Sequence, residues 1–300
     1  MSFHSTLAPK EVAVAMVEHG VVKHRTRYDI MFFKAFNAGI YLSFGGLLSE
    51  VIQGGSPTIN TNNPGLLKVM GGFVFPVGLV MIVLSGQELL TSNMFVLPMA
   101  AMKGAIPWWS IPVNWLIVTF GNLVGCLFFA AILFLTELED SGIVSLEPYE
   151  TFIQEFAIKK AGTPEWHQIF LRGIGCNWLV CLAVWQAAGA KETISKIFAI
   201  WIPIWIFVSC GYDHANMFSV PLGIMFHADL TVAEYIRKSL IASYIGNIVG
   251  ALMLAIPYTY FYLRDYVPDT SNLRGVEEGE TINEVGLVRT ETPSLSKRDQ

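Results

Sequence analysis

A polar motif that interrupts an apolar stretch occurs twice in this chain, and the two copies are 125 positions apart. Gly86-Gln87-Glu88 recurs as Gly211-Tyr212-Asp213, and Gly121-Asn122 recurs as Gly246-Asn247. In a membrane protein, two homologous halves that each carry a broken hydrophobic segment place a polar site near the middle of the bilayer. The repeat therefore predicts a transporter or a channel.

The composition indicates an integral membrane protein. Hydrophobic residues make up 53% of the 300 residues and charged residues only 14%, and the mean hydropathy is +0.50. This apolar content exceeds what a soluble core of this size needs. We expect six spans, the second and fifth of them broken, near 28–53, 66–85, 108–136, 168–189, 197–210 and 239–263.

The segments that flank the spans predict three parts. We expect an amphipathic cytoplasmic helix in residues 1–27, a transmembrane domain in 28–263 with repeats at about 28–136 and 168–263, and a disordered cytoplasmic tail in 264–300. The excess of Lys and Arg near one set of span ends places both termini in the cytoplasm, with the protein in the plasma membrane.

Several other classes of function lack a signal in this sequence. The four cysteines lie in apolar helical stretches, so we expect buried thiols and no disulfide framework: Cys126, Cys176, Cys181 and Cys210. No nucleophile triad, phosphate-binding glycine loop or metal-ligand spacing occurs. We therefore expect no enzymatic activity, no cofactor and no metal site.

Both breaks resemble the formate/nitrite transporter family. Residues 86–94 are similar to its G-x-E-L-x-T-x-N loop, and residues 211–217 to its G-[FY]-[ED]-H…A-N-M segment. The resemblance covers about residues 9–263 and includes the segments 120–125, 175–185 and 245–250. It implies an all-α, aquaporin-like bundle of six transmembrane helices with inverted repeats, assembled as a homopentamer with one substrate path per protomer.

The family resemblance implies proton-linked transport of small monovalent weak-acid anions, with nitrite and formate as first candidates. The segment 210–214 and the acidic tail look like the eukaryotic, fungal-type nitrite transporter branch, which favours nitrite. One alternative is a channel for formate and short monocarboxylates. Another is an aquaporin-like channel for neutral solutes, although neither Asn93-Met94 nor Asn216-Met217 matches the Asn-Pro-Ala signature expected there. A membrane scaffold would not need repeated polar breaks.

The resemblance assigns the centre of the pathway to His214 and Thr91. A neutral imidazole is favoured in a low-dielectric pocket, so an anion and a proton could be taken up together at His214; the alternative is that it only binds free backbone groups. Thr91 faces that histidine in the family, or else it caps the helix that follows. We expect the repeat-related carboxylates, Glu88 and Asp213, to accept hydrogen bonds from backbone donors at the breaks.

Three further polar residues match family positions along the pathway. Lys160, or alternatively Lys159, resembles a lysine of the outer vestibule that attracts anions, although a solvated loop lysine would look the same. Asn177 and Asn247 resemble asparagines near the pore. Polar contacts between helices are the alternative explanation for both.

Five apolar residues match the constrictions of the family. Phe75, Leu79 and Phe207 resemble its cytoplasmic hydrophobic slit, and Leu89 and Leu90 resemble the loop that forms the outer constriction. Packing in a helix bundle is the alternative for all five. A narrow apolar slit excludes a bare ion because removing its water costs several kcal/mol, whereas a neutral weak acid loses much less.

The second break is two residues shorter than the first. Gly86 precedes Asn93 by seven positions, but Gly211 precedes Asn216 by only five, where the family keeps seven. At about 100° per residue, this difference turns the following residues by roughly 200° unless the loop is remodelled. We therefore expect either a remodelled loop after His214 or a natural or artificial deletion in the sequence, and both alternatives leave the placement of Asn216 open.

Overall fold

The computed structural model describes residues 6–137, 144–212 and 217–268, and this part of the chain is almost entirely helical. Thirteen α-helices lie within the described residues: α1 (Pro9–Arg25), α2 (Tyr28–Gly54), α3 (Pro57–Asn62), α4 (Pro64–Val74), α5 (Val77–Leu84), α6 (Leu90–Met102), α7 (Ser110–Glu137), α8 (Tyr149–Ala157), α9 (Trp166–Gly189), α10 (Thr193–Ser209), α11 (Ser219–Met225), α12 (Val232–Glu234) and α13 (Ile241–Leu263). Two π-helical segments, Ile158–Gly162 and Tyr235–Leu240, follow α8 and precede α13. The predicted tail lies outside the described residues beyond Pro268.

The membrane-spanning helices follow the predicted order. In the described part of the chain, five helical segments are long and apolar enough to cross a membrane: Tyr28–Gly54, Pro64–Leu84, Ser110–Thr136, Trp166–Gly189 and Val232–Leu263. The predicted fifth span is α10, an apolar helix of 17 residues, and the short α11 follows after the second break. The all-α fold with interrupted second and fifth spans is confirmed.

The two breaks begin with the same backbone geometry. Gly86 and Gly211 have φ angles of 64° and 78°, a left-handed conformation that glycine adopts without the steric cost of a Cβ. In each case the residue after the glycine donates a backbone hydrogen bond of 2.9 Å to the carbonyl five positions earlier: Gln87 to Ile82, and Tyr212 to Phe207. The sequence repeat is therefore also a repeat in how a spanning helix ends.

Small residues bring the long helices together in both halves. On α7, a Cβ on Gly125 would collide with the Phe36 carbonyl oxygen on α2. On α13, a Cβ on Gly250 would collide with the Ile174 carbonyl oxygen on α9. Glycines at such positions let the backbones of membrane helices approach closely, and the 125-residue offset relates the two glycines.

Helix α1 packs on one end of the bundle. Its buried residues form one face: Val12, Ala13, Ala15, Met16, Val17, Gly20 and Val21. Just before α1, the Leu7 backbone nitrogen donates to the Gly189 carbonyl oxygen, 2.8 Å away, at the last residue of α9. Since α9 has 24 residues, its first residue, Trp166, lies roughly 36 Å from this end. We call the two ends of the bundle the α1 side and the opposite side.

Candidate substrate pathway

A cavity of about 90 Å³, called the chamber below, lies among residues of both halves. Seven of the ten sequence-predicted pathway residues line it: Phe75, Leu79, Leu89, Leu90, Thr91, Phe207 and Asn247. The chamber walls are mainly apolar, and no described lining residue carries a charged side chain. The fold therefore brings together residues that are up to 172 positions apart in the sequence.

Two phenylalanines from the broken spans meet at the chamber. The rings of Phe75 and Phe207 have centroids 5.7 Å apart and are perpendicular to each other. Both residues are buried, as is Leu79 on α5. Edge-to-face contact is a favourable arrangement of two aromatic rings, so this pair forms a closely packed apolar wall.

Asn122 on α7 holds the loop at the first break. Its Oδ1 accepts a hydrogen bond of 3.0 Å from the backbone nitrogen of Leu90, the first residue of α6. Its Nδ2 donates to the carbonyl oxygens of Ala35 and Glu88, at 2.8 and 2.9 Å. Free donors at a helix start need such partners when they are buried. Asn122 therefore caps the first residue of α6, a role that the sequence suggested for Thr91.

Glu88 binds side chains at the first break. The Lys23 Nζ on α1 lies 2.8 Å from each carboxylate oxygen, and the Asn93 Nδ2 donates to Oε2 at 2.8 Å. The same Asn93 nitrogen also lies 2.9 Å from the Asn114 Oδ1. The prediction that the Glu88 carboxylate serves backbone donors is therefore wrong, because a lysine from α1 and a nearby amide occupy it. In the sequence, Lys23 begins a short basic run that includes Arg25 and Arg27, and no local pattern marks it as the partner of Glu88.

The two predicted asparagines have different environments. Asn177 is fully buried behind the chamber, and its Nδ2 donates to the carbonyl oxygens of Asn247 at 2.8 Å and Thr91 at 3.2 Å. Asn247 lines the chamber, and its buried Oδ1 has no hydrogen-bond partner within the described ranges. Asn177 therefore connects helices, whereas Asn247 offers the chamber an unused acceptor.

Lys160 lines a second, larger cavity of about 390 Å³, called the vestibule below. Its Nζ lies 4.9 Å from the centre of the Phe156 ring. Arg172, near the first residue of α9, also lines the vestibule, which is therefore on the side opposite α1. Val208 lines it too and directly follows Phe207, so the vestibule and the chamber border the same turn of α10.

The two predicted constrictions lie on different sides of the chamber. Leu89 directly follows Glu88, which is bound by Lys23 of α1, so the Leu89–Leu90 pair belongs to the α1 side of the chamber. The Phe75–Phe207 pair is next to the vestibule instead. The leucine loop therefore lies on the same side as α1 and the phenylalanine slit does not. The two expectations that α1 is cytoplasmic and that the phenylalanine slit is the cytoplasmic constriction are thus incompatible, and the side that faces the cytoplasm stays a prediction.

Residues 213–216 are outside the described residues, and they include the predicted pathway residue His214 together with Asp213 and Asn216. The residues on either side are described: Tyr212 lines the vestibule and Met217 lines the chamber. The roles of His214 and of the shortened second break remain predictions from the sequence.

The cysteines are not paired, but they are not all buried. Cys126, Cys176 and Cys181 are buried thiols, whereas Cys210 is exposed. It follows the last residue of α10 and lines the vestibule, so the expectation of a buried thiol was wrong for this residue. In the part of the chain that the structure describes, no three His, Cys, Asp or Glu side chains are grouped to hold a metal ion.

Comparisons with known proteins agree with this arrangement. A family model described as Formate/nitrite transporter matches residues 10–261. The chain is 36% identical over 276 residues to a probable formate transporter of Methanothermobacter thermautotrophicus, covering 86% of this chain and 98% of that protein. It is 34% identical over 264 residues to the formate channel BtFdhC of Bacillus thuringiensis, covering 87% and 96%. A solved pentameric formate channel with formate bound superposes with a TM-score of 0.67 at 29% identity, covering 79% and 98%.

The broken helices and the uncharged chamber between them define a multi-pass membrane transport protein. With a family model matched over residues 10–261, the chain belongs to the formate/nitrite transporter family.

Proposed function

We propose that this protein carries small monovalent weak-acid anions across the membrane, each together with a proton. The observation that carries the proposal is the chamber of about 90 Å³, which has no charged residue in its described lining. The Phe75–Phe207 pair and the Leu89–Leu90 pair form parts of its wall. A bare anion loses its hydration in such a chamber at a cost of several kcal/mol, whereas the neutral acid loses far less. A small weak acid in its protonated form is therefore the species that this chamber suits.

Neutral polar groups in the chamber support a protonated substrate. Thr91 has a hydroxyl group that donates and accepts, and the Asn247 Oδ1 is an acceptor without a described partner. An acid O–H group donates to such an acceptor, whereas an anion does not. We propose His214 as the group that supplies the proton, on its sequence position between Tyr212 and Met217, because an imidazole exchanges a proton at physiological pH.

Formate is the first substrate that we propose, and nitrite is the second. The relatives from Methanothermobacter thermautotrophicus and Bacillus thuringiensis carry formate in their names, as does the solved pentameric channel. These archaeal and bacterial names do not support the fungal-type nitrite branch that the sequence suggested. Nitrite stays a candidate because it is also small, bent and monovalent.

The assembly and its orientation are further parts of the proposal. The solved pentameric formate channel supports a homopentamer of this chain with one chamber in each protomer. The distribution of Lys and Arg supports α1 on the cytoplasmic side, preceding a transmembrane domain in residues 28–263. The plasma membrane is the location that we propose. We propose transport without catalysis of a covalent reaction.

Flux into proteoliposomes tests the function. With an inward proton gradient, we expect labelled formate and nitrite to accumulate, each to compete with the other, and the internal pH to fall in an anion-dependent way. Water flux without anion-dependent acidification would instead identify a neutral-solute channel, and no flux at all would identify a scaffold.

A histidine variant tests the proton-coupling step. His214→Phe should abolish anion uptake without loss of oligomer assembly, because phenylalanine keeps the ring volume but has no proton to exchange. His167→Phe is the matched control, since His167 is exposed on α9 and lines neither cavity. Normal uptake by an assembled His214→Phe protein at acidic external pH would remove His214 from the mechanism.

A further inference from the structure

The polar groups in the described lining of the chamber carry no charge, and one of them is an acceptor that lacks a donor. Asn247 presents a buried Oδ1 without a hydrogen-bond partner in the described ranges. Thr91 presents a hydroxyl group, which both donates and accepts. Because a buried polar atom without a partner is costly, the chamber favours a ligand that brings N–H or O–H donors.

Asn247 and Thr91 are neighbours in the chamber wall. A single nitrogen, the Asn177 Nδ2, donates to the Asn247 carbonyl oxygen at 2.8 Å and to the Thr91 carbonyl oxygen at 3.2 Å. Both residues line the same cavity of about 90 Å³. A ligand of a few atoms can therefore contact both side chains at once.

The other amide and hydroxyl side chains of the described lining already have partners. The Asn122 amide binds backbone groups at the first break. The Ser243 hydroxyl donates to the Leu240 carbonyl oxygen, 3.1 Å away, and the Tyr244 hydroxyl has a side-chain hydrogen bond with Thr119 on α7. The two neighbours described above are therefore the groups left for a ligand.

Formamide, the simplest primary amide, has the size and the planar shape of formic acid. The two molecules differ in one group, because an NH2 group with two donors replaces an O–H group with one. One N–H can donate to the Asn247 Oδ1 and the other to the Thr91 hydroxyl. The acid can satisfy only one of these acceptors at a time.

A neutral amide also enters the chamber without a proton. Formate has to be neutralised first, because removing water from an ion is costly where no charged group replaces it. Formamide is neutral over the physiological pH range, so it loses only the water of its polar groups, and the two acceptors in the chamber replace that water.

We propose that the chamber also conducts small neutral planar molecules that combine N–H donors with a carbonyl acceptor, with formamide as the first of them. This inference rests on the proposed transport function in that the chamber is the pathway. The chamber then selects its substrates by size, neutrality and hydrogen bonding, and the proton serves only to neutralise an acid.

Flux of labelled formamide into proteoliposomes of the full chain tests this inference, and protein-free liposomes measure the leak through the lipid. We expect a saturable flux that formate inhibits at acidic pH. Formamide flux should stay constant between about pH 5 and 8, the range in which histidine changes its charge, whereas formate uptake should rise as the external pH falls. The internal pH should not change during formamide flux.

A larger amide tests the selection by size. Acetamide has one methyl group more than formamide, and we expect its flux to be at least about tenfold lower, because an apolar pocket discriminates one such group by about 10–200-fold. Equal flux of both amides would show passage by a route other than the chamber.

Two matched variants test the contact with Asn247. Asn247→Leu keeps the volume of the side chain but removes the acceptor, and should lower formamide flux about tenfold. Gln186→Leu removes an exposed amide of α9 that lines neither cavity, so formamide flux should not change. If Asn247→Leu does not assemble, Thr91→Val tests the same pair of acceptors.

The outcomes separate this inference from the transport proposal. Formamide flux no faster than the leak, together with normal formate uptake, would overturn this inference alone. Formamide flux that requires a proton gradient, or that Asn247→Leu and Thr91→Val both leave unchanged, would overturn it as well. Formamide flux without formate uptake would support the inference and overturn proton-linked anion transport, and absence of both fluxes would overturn both proposals.

Discussion

Lys23 Nζ lies 2.8 Å from both carboxylate oxygens of Glu88, which joins the N-terminal helix to the loop at the first break. The lysine side chain is 17% exposed and the glutamate side chain 7% exposed, so most of this ion pair is removed from water. Asn93 gives the carboxylate a further hydrogen bond. Because an unpaired carboxylate in this position would be costly, the position of α1 and the shape of the loop depend on each other.

Removing Lys23 should therefore destabilise the protein. Lys23→Gln leaves the Glu88 carboxylate buried with Asn93 as its remaining donor. We expect the free energy of unfolding to fall by about 2 kcal/mol, because the pair is not fully buried and breaking a fully buried pair costs about 3–5 kcal/mol. The double variant Lys23→Gln/Glu88→Gln should recover part of that loss. Thermal unfolding of the detergent-solubilised oligomer measures both.

An exposed ion pair, Arg27 with Asp29, controls for the loss of a positive charge. Arg27→Gln breaks the exposed pair of Arg27 with Asp29, and we expect at most about 0.5 kcal/mol from that change. The coupling of Lys23 and Glu88 is tested by additivity. If Lys23→Gln/Glu88→Gln lowers the free energy of unfolding by as much as Lys23→Gln and Glu88→Gln added together, the two residues are not coupled.

The repeat-related asparagines should respond differently to truncation. Asn122→Ala removes the partners of the Leu90 nitrogen and of the Ala35 and Glu88 carbonyl oxygens, so we expect a loss of about 3 kcal/mol from buried unsatisfied groups. Asn247→Ala removes a buried oxygen without a described partner, and should cost less than about 1 kcal/mol while it lowers flux. Unfolding midpoints and formate flux distinguish the two; equal loss of stability would contradict the prediction.

The perpendicular phenylalanines should set the upper limit of substrate size. Phe75→Ala or Phe207→Ala removes one ring of the pair, and we expect the flux of acetate relative to formate to rise about tenfold, because fitting an extra methyl group is worth about 1–3 kcal/mol. Phe73→Ala is the matched control, since Phe73 is 50% exposed and contacts Trp201 and Trp205. Unchanged selectivity in both variants would show that the pair only packs.

His19 on α1 should make stability depend on acidity. Surrounding protein and the nearby Lys23 and Lys196 lower the pKa of His19 to about 4 and outweigh the opposite effect of Glu88. The residue itself is exposed, so water is close to the ring. The unfolded chain binds a proton at the ordinary histidine pKa of about 6.5, so stability falls as the pH decreases from about 6.5 to 4. Unfolding midpoints across this window should fall less in His19→Gln. A parallel decrease in both proteins would exclude His19 as the cause.

The sequence alone determined the architecture because its signals are local and repeated. Apolar stretches long enough to span a bilayer predict helices, and glycine at positions 86 and 211 ends two of them with a left-handed residue. The 125-residue offset relates these breaks to each other without any alignment. Residues 94–102 are an apolar stretch too short to cross a membrane, and they form most of α6.

Only the tertiary structure decided which side chains meet. Lys23 and Glu88 are 65 positions apart, and Asn122 reaches Leu90 across 32 positions, so no local pattern shows either contact. The same holds for the sides of the two constrictions, which depend on where α1 packs. Spacing within a helix is fixed by its 3.6-residue turn, but contacts between helices depend on how several helices pack at once. The sequence therefore determined which residues are available at the breaks, and packing decided which partners they bind.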